Sequence, residues 1–375
     1  MNKISNKQIP FLDLSFQNDQ LSNEYEEALR EILKDSNYIL GSRVGAFERA
    51  CCNYFDSKYT IGVANGMDAI LLSLKAAGIG PGDEVLVPSN TYIATWLAIT
   101  HAGATIVPVE PDFDTFNMDV KKIEQAITKN TKAVIPVHLY GNPCDMLALM
   151  AIAVKYNLIV IEDNAQAQGA TINEKKTGTF GHFGATSLYP GKNLGALGDA
   201  GIVLTQYKTY DTKLRELRNY GSDKKYYNEE IGYNSRLDEL QAAFLCIKIK
   251  KLDEWNAERT AIASKYQLLL EKVEAIKFQK VMTDHKSVFH ILCILAADRD
   301  ALMASLNDNG IGTLIHYPVP SHLQNAYISL NFKQGRFPMA ELMANNCLSL
   351  PIYPGLSDDQ IGFIADIIIK HYQLK

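Results

Sequence analysis

The sequence lacks any excess of positive charge: 37 Lys and Arg stand against 42 Asp and Glu, a formal net charge of −5. Such a balance offers no electrostatic footprint for nucleic acid or an anionic membrane surface, and neither partner is expected. No apolar run approaches the roughly 18 residues that a membrane-spanning helix needs; the stretch 69–79, for example, is broken by Ser73 and Lys75. The opening residues MNKISNKQIP contain neither an apolar h-region nor a small-residue cleavage site, so no secretory signal is expected. Cysteine is sparse. Cys51, Cys52, Cys144, Cys246, Cys293 and Cys347 form no CxxC and no metal-ligand spacing. They read as small buried hydrophobes in a reducing compartment, which excludes a disulfide scaffold and leaves no metal site to expect. Nothing repeats at a fixed period, which excludes a solenoid. A cytoplasmic protein is the expectation.

What is present is an ordinary globular composition: 375 residues, 47% hydrophobic and 21% charged. At roughly 150 residues per domain this allows two or three domains. The uneven entry is aromatic, with 19 Tyr against 2 Trp and 14 Phe. A tyrosine ring packs on apolar surface and keeps a hydroxyl for hydrogen bonding. That suits a polar, ring-bearing ligand, and it equally suits half-buried packing.

Short β-branched runs alternate with helical patterns between residues 58 and 206. Strands are predicted at 59–64, 84–87, 105–109, 133–137, 158–161 and 201–205, with helices at 67–77, 91–101, 119–128 and 146–156. Strands that are apolar throughout, each followed by a helix, indicate a mostly parallel sheet covered on both faces. A charged helix is expected at 210–220 and a long, bent helical stretch at 236–273. Beyond it, strand (288–295), helix (301–309), strand (312–316) and two further helices suggest a small α+β unit. The division is placed near residue 250, giving a large domain 1–250 and a small domain 251–375.

In sheets of this kind ligands bind beyond the carboxyl ends of the strands. Four polar strand tails lie there in series: 65–68, 88–92, 138–141 and 162–166. Asp163 closes an apolar strand, and a buried carboxylate is costly unless a cation lies against it; a protonated pyridine nitrogen would be such a cation. Lys192 lies in the Gly-rich segment SLYPGKNLGALGD, residues 187–199. A lysine whose pKa is lowered by its surroundings is a Schiff-base nucleophile. Asn65, Gly66, Met67 and Asp68 lead into a helix N-terminus, where free N–H groups and the helix dipole hold phosphate. Together these three pieces make a pyridoxal 5'-phosphate (PLP) site.

In these motifs the chain resembles the PLP-dependent nucleotide-sugar aminotransferases of the DegT/DnrJ/EryC1/StrS group. The likeness runs from Pro10 to Pro354 and is strongest at 162–166 and 187–201, supported by 232–243 and 315–318. It implies the type I, aspartate-aminotransferase-like α/β fold, with a large mostly parallel seven-stranded sheet domain and a small C-terminal α+β domain. Carried over residue by residue, it implies that Lys192 forms the Schiff base and shuttles protons. Asp163 pairs with the pyridine nitrogen and Gln166 contacts the ring hydroxyl. Ser187 and the backbone at Gly66, Met67 and Asp68 hold the phosphate, and Tyr92 stacks on the ring. Asn234 matches a residue that reaches the phosphate from the neighbouring subunit, which implies a homodimer with shared sites. Gln168 stands where the family often has histidine, so no role is carried over to that position.

The resemblance further implies glutamate as amino donor and a nucleotide-linked keto sugar as acceptor. The His316-Tyr317-Pro318 segment and the form of the lysine loop look most like enzymes aminating C3 of dTDP-3-keto-6-deoxyhexoses. Those enzymes make dTDP-3-amino-3,6-dideoxyhexoses for surface glycans of the O-antigen or S-layer type. His316, Tyr317 and Tyr189 are the candidate substrate contacts. The alternatives are a C4 aminotransferase acting on a dTDP- or UDP-4-keto sugar, and a non-catalytic member of the fold. A C3 dehydratase of the same fold has histidine where this chain has Lys192, so the free amine favours transamination.

Overall fold

The computed structural model describes residues 8–373. Its large sheet has seven strands: β1 (Tyr59–Val63), β2 (Glu84–Pro88), β3 (Thr105–Val109), β4 (Thr131–Val134), β5 (Ile159–Asp163), β6 (Phe183–Ser187) and β7 (Gly201–Thr205). Their order is β1-β7-β6-β5-β4-β2-β3, and β7 alone runs antiparallel to its neighbours. Parallel neighbours cannot be joined by hairpins, so helices such as Gly66–Ala76, Ile93–Ala102 and Met146–Tyr156 make the crossovers. The strands are apolar on both sides because both faces are covered. Val85 and Val87 enter one core with Ile61, Trp96 and Ile161, while Leu86 enters another with Val134, Leu149 and Val160.

A second, antiparallel sheet holds β8 (Ile276–Phe278), β9 (Leu292–Ala296) and β10 (Cys347–Leu350), in that order. Helices Leu252–Leu269, Arg299–Asp308 and Asp358–Gln373 cover it around Ile262, Tyr266, Ile294, Leu302, Leu348 and Ile364. Ile9 also packs in this second core and pairs with Ile311, so the start of the described chain lies with its far end.

The pattern reading needs local correction. The helix expected at 119–128 is a 3-10 turn (Val120–Lys122) and one α-turn (Ile123–Ala126). The long stretch expected at 236–273 is helical from Glu239 to Leu269 and is interrupted by a 3-10 turn at Ile249–Lys251. Residues 312–316 form no strand; only Leu314 bridges, to Ser349. The strand expected from 288 starts at Leu292, because the amides of Val288 and Ile291 bond instead to the carbonyls of Gly141 and Tyr140. β-Branched composition alone cannot distinguish such a hooked segment from a ladder.

Candidate active site

The carboxyl ends of β1, β5 and β6 converge on one cleft. At β1, Asn65 caps the helix Gly66–Ala76 by accepting from the Asp68 N–H at 2.9 Å. The carboxylate of Asp68 accepts from Ser235 Oγ at 2.6 Å, so this residue faces Ser235 and contributes position rather than free donors. Gly66 and Met67 are the first two helical residues, whose N–H groups the helix itself does not use. A Cβ on Gly66 would strike Ser187, lying 2.9 Å from its Cα. Glycine is therefore what lets Ser187 sit against the first amides, forming a cradle for an anion.

Asp163 ends β5 and is 6% exposed. Burial raises its pKa, opposed by a 2.8 Å hydrogen bond from Thr95 Oγ1, one from the Ala165 N–H, and the charge of Lys192. Thr91 and Thr95 are themselves hydroxyl partners at 3.1 Å. Lys192 lies in the loop after β6, and its amine makes no hydrogen bond or salt bridge among the described residues. Burial lowers its pKa to about 8, against the pull of Asp163. One buried carboxylate favouring a cation, one unpaired amine and one N–H cradle are the donor set for a pyridine nitrogen, an aldehyde and a phosphate. The residues fit PLP.

Gln166 is held at both ends. Its Oε1 accepts from the Tyr140 N–H at 2.6 Å and its Nε2 donates to Tyr317 Oη at 3.1 Å. Tyr317 lies beside Tyr92, ring centroids 5.1 Å apart, and burial raises its phenol pKa. His316 bonds through Nδ1 to the buried Ser349 Oγ at 2.8 Å, and the Tyr140 hydroxyl donates to the His316 carbonyl. Burial, helped by Lys192, lowers His316 to about 4, so the imidazole is neutral. Tyr92 and Tyr189 are 53% and 56% exposed, leaving their rings open to a ligand.

The structure thus brings Asp163, Lys192, Gln166, Tyr92, His316 and Tyr317 to one cleft, with Gly66, Met67 and Ser187 at its β1–β6 side. It does not bring Asn234 there within one chain: this residue is exposed and pairs through its backbone with Asn219. Sequence reasoning missed Thr95, which orients Asp163, and the buried pair His138–Glu162 beneath it. Glu162 Oε2 meets His138 Nε2 at 3.0 Å, and its carboxylate accepts the amides of Gly178, Phe180 and Gly181 at 2.7 Å each. The spacing of Thr91 and Thr95, four residues apart at a helix start behind a polar strand end, was the available signal.

A model of the DegT/DnrJ/EryC1/StrS aminotransferase family matches residues 19–369. The chain is 47% identical over 363 residues to a dTDP-3-amino-3,6-dideoxy-alpha-D-galactopyranose transaminase of Aneurinibacillus thermoaerophilus, covering 97% of this chain and 99% of that one. It is 44% identical over 360 residues to a dTDP-3-amino-3,4,6-trideoxy-alpha-D-glucose transaminase of Streptomyces venezuelae, covering 96% and 95%. The crystal structure of S. venezuelae DesV in complex with a ketimine intermediate superposes with a TM-score of 0.96 at 44% identity, covering 97% and 98%.

Proposed function

The chain belongs to the DegT/DnrJ/EryC1/StrS aminotransferase family, whose enzymes are PLP-dependent, and from that membership we propose its particular reaction. It transfers an amino group from glutamate to C3 of a dTDP-3-keto-6-deoxyhexose, giving a dTDP-3-amino-3,6-dideoxyhexose for surface glycan synthesis. The observation that carries the amino-transfer chemistry is the buried Lys192 amine, which makes no hydrogen bond or salt bridge among the described residues and feels the charge of Asp163. The relatives at 44–47% identity support amination at C3.

Bound PLP supplies a protonated pyridine ring that takes up the electron pair released beside the reacting nitrogen. The chain's own residues do the rest. Asp163 holds the proton on the pyridine nitrogen, its carboxylate kept in place by Thr95 and the Ala165 amide. Gly66, Met67 and Ser187, in the frame built by Asp68, hold the phosphate. Gln166 meets the ring hydroxyl and Tyr92 covers the ring face. Within each half-reaction Lys192 Nζ takes a proton from one carbon and delivers it to another; a pKa near the working pH suits both taking and giving. His316, Tyr317 and Tyr189 position the sugar nucleotide.

Asn234 completes the phosphate site from a second copy, which makes the active unit a homodimer. The chain divides near residue 250 into a large PLP-binding unit and a small C-terminal one. All six cysteines are free thiols, which suits the reducing cytoplasm. Among the described residues no helix is long and apolar enough to cross a membrane.

The test is incubation of the PLP-loaded protein and glutamate with dTDP-3-keto-6-deoxyglucose, its galacto epimer or dTDP-4-keto-6-deoxyglucose, with the products read by NMR. Amination of a 3-keto sugar is expected. Exclusive reaction of the 4-keto sugar would replace this reading by a C4 aminotransferase.

A further inference from the structure

The residue after the lysine starts a chain of hydrogen bonds whose direction can be deduced completely. It is anchored at the backbone carbonyl of Gln168, which can only accept. Asn256 Nδ2 donates to it at 2.9 Å, which fixes the amide of Asn256 and leaves its Oδ1 as an acceptor. Asn193 Nδ2 donates to that Oδ1 at 2.7 Å and to the Val288 carbonyl at 3.0 Å, so Asn193 is fixed too. Its Oδ1 meets His290 Nδ1 at 3.0 Å. An amide oxygen has no proton to give, so His290 Nδ1 carries the hydrogen. The other ring nitrogen, Nε2, is then a bare lone pair in the neutral imidazole.

The chain is tightly built. Asn193 is 1% and Asn256 7% exposed. Gly169, at φ +96°, leaves room for it, because a Cβ there would lie 2.6 Å from Asn256 Nδ2. The backbone of His290 is equally fixed, with its carbonyl accepting from the buried Arg259. Arg259 is thereby engaged with carbonyls and not with the ring. Nε2 makes no hydrogen bond among the described residues, and the residue as a whole is only partly buried. Burial, with the charges of Lys192, Arg259 and His316, holds the ring well below the ordinary histidine range. His290 thus lies within electrostatic reach of both Lys192 and His316, tied by Asn193 to the residue that follows the lysine.

A lone pair fixed in this way recognises a hydrogen-bond donor and disfavours a carboxylate or a carbonyl. Of the two reactants, the amino donor presents carboxylates, whereas the sugar presents hydroxyls. We propose that His290 Nε2 accepts a hydrogen bond from a sugar hydroxyl flanking the keto carbon, making His290 a specificity-determining residue, an inference that rests on the functional reading above. A site built to accept from a hydroxyl penalises the analogue that lacks it, since its own polar group is left unpaired.

The experiment uses the PLP-loaded protein with a dTDP-3-keto-6-deoxyhexose and its 2-deoxy and 4-deoxy counterparts. Wild type is expected to favour the full sugar over one of the two by about tenfold in kcat/KM, the effect of one lost hydrogen bond. His290→Asn keeps a donor for Asn193 but has nothing at the Nε2 position, and should erase that preference, chiefly through KM. His290→Gln places an amide oxygen close to Nε2 and should restore part of it. In 15N spectra the wild-type ring should show a protonated Nδ1 and a bare Nε2. A preference surviving in His290→Asn, an equal loss of kcat on all three sugars, or a protonated Nε2 would each overturn the assignment of His290 alone. Wild-type protein inert towards all three sugars would overturn the functional reading together with it.

Discussion

Two of the buried charge clusters among the described residues are built on opposite rules. Alongside β1, Glu48 takes Arg218 Nη1 at 2.7 Å, Arg215 Nη1 at 2.9 Å and the Gly62 amide at 2.9 Å, while Asp211 takes Arg215 Nε at 2.6 Å. Each charge there has a counter-charge within hydrogen-bond reach. At the carboxyl end of the same sheet, Lys192 has no such partner and Asp163 is contacted by a hydroxyl and an amide rather than by a cation. A paired cluster ties helix Lys208–Leu217 to the sheet and ends its chemistry there. An unpaired one carries a desolvation cost, and it shows as displaced proton affinities.

The largest effect should come from removing the working charge. Lys192→Ala is expected to lower turnover on the order of 10³-fold or more, since nucleophile and base are one group. The protein should still bind PLP, but borohydride should no longer fix it covalently. Removing the structural charge should do the reverse. Glu48→Ala leaves Arg218 buried without its carboxylate, and unfolding should become easier by about 3–5 kcal/mol. In denaturant titration that loss would appear while the PLP absorbance of the folded fraction is unchanged.

Smaller effects sharpen the contrast within the cleft. Thr95→Val keeps shape but removes the 2.8 Å bond to Asp163. A hydrogen bond to a charged group contributes about 1.5–3 kcal/mol, so the affinity for PLP should weaken at least tenfold, measured by fluorescence titration. Ser349→Ala frees the ring of His316 from its buried anchor. One neutral hydrogen bond is lost, and KM for the sugar nucleotide should rise only about threefold, with PLP affinity unchanged.

Much of this was legible in the sequence, for reasons that particular residues make plain. The parallel sheet follows from runs such as 59–64 and 201–205, apolar on both faces because helices cover both. Asp163 and Lys192 could be singled out because a carboxylate ending a buried strand and a lysine among glycines contradict their surroundings. Residues 312–316 were misread because an extended segment with one bridge to Ser349 has the same composition as a strand. Asn193, Asn256 and His290 were invisible for a different reason. Their polarity is set by partners up to 97 residues away in sequence, Asn193 and His290 being the extreme. Nothing in local composition marks an amide whose direction is fixed from a distant carbonyl.

The contrast between paired and unpaired charge is tested most directly by the proton affinity of Lys192 itself. In PLP-free protein, the rate of acylation at this lysine can be followed against pH by isotope-labelled competitive labelling. Burial lowers the folded-state pKa to about 8, whereas an unfolded lysine titrates near about 10.4. Between those values only the unfolded chain retains the proton, so the Lys192 contribution to stability should grow as pH rises through that window. A labelling midpoint near pH 8 is the expected result. A midpoint near 10.4, like that of a solvated surface lysine, would contradict an unpaired, desolvated amine at the centre of this site.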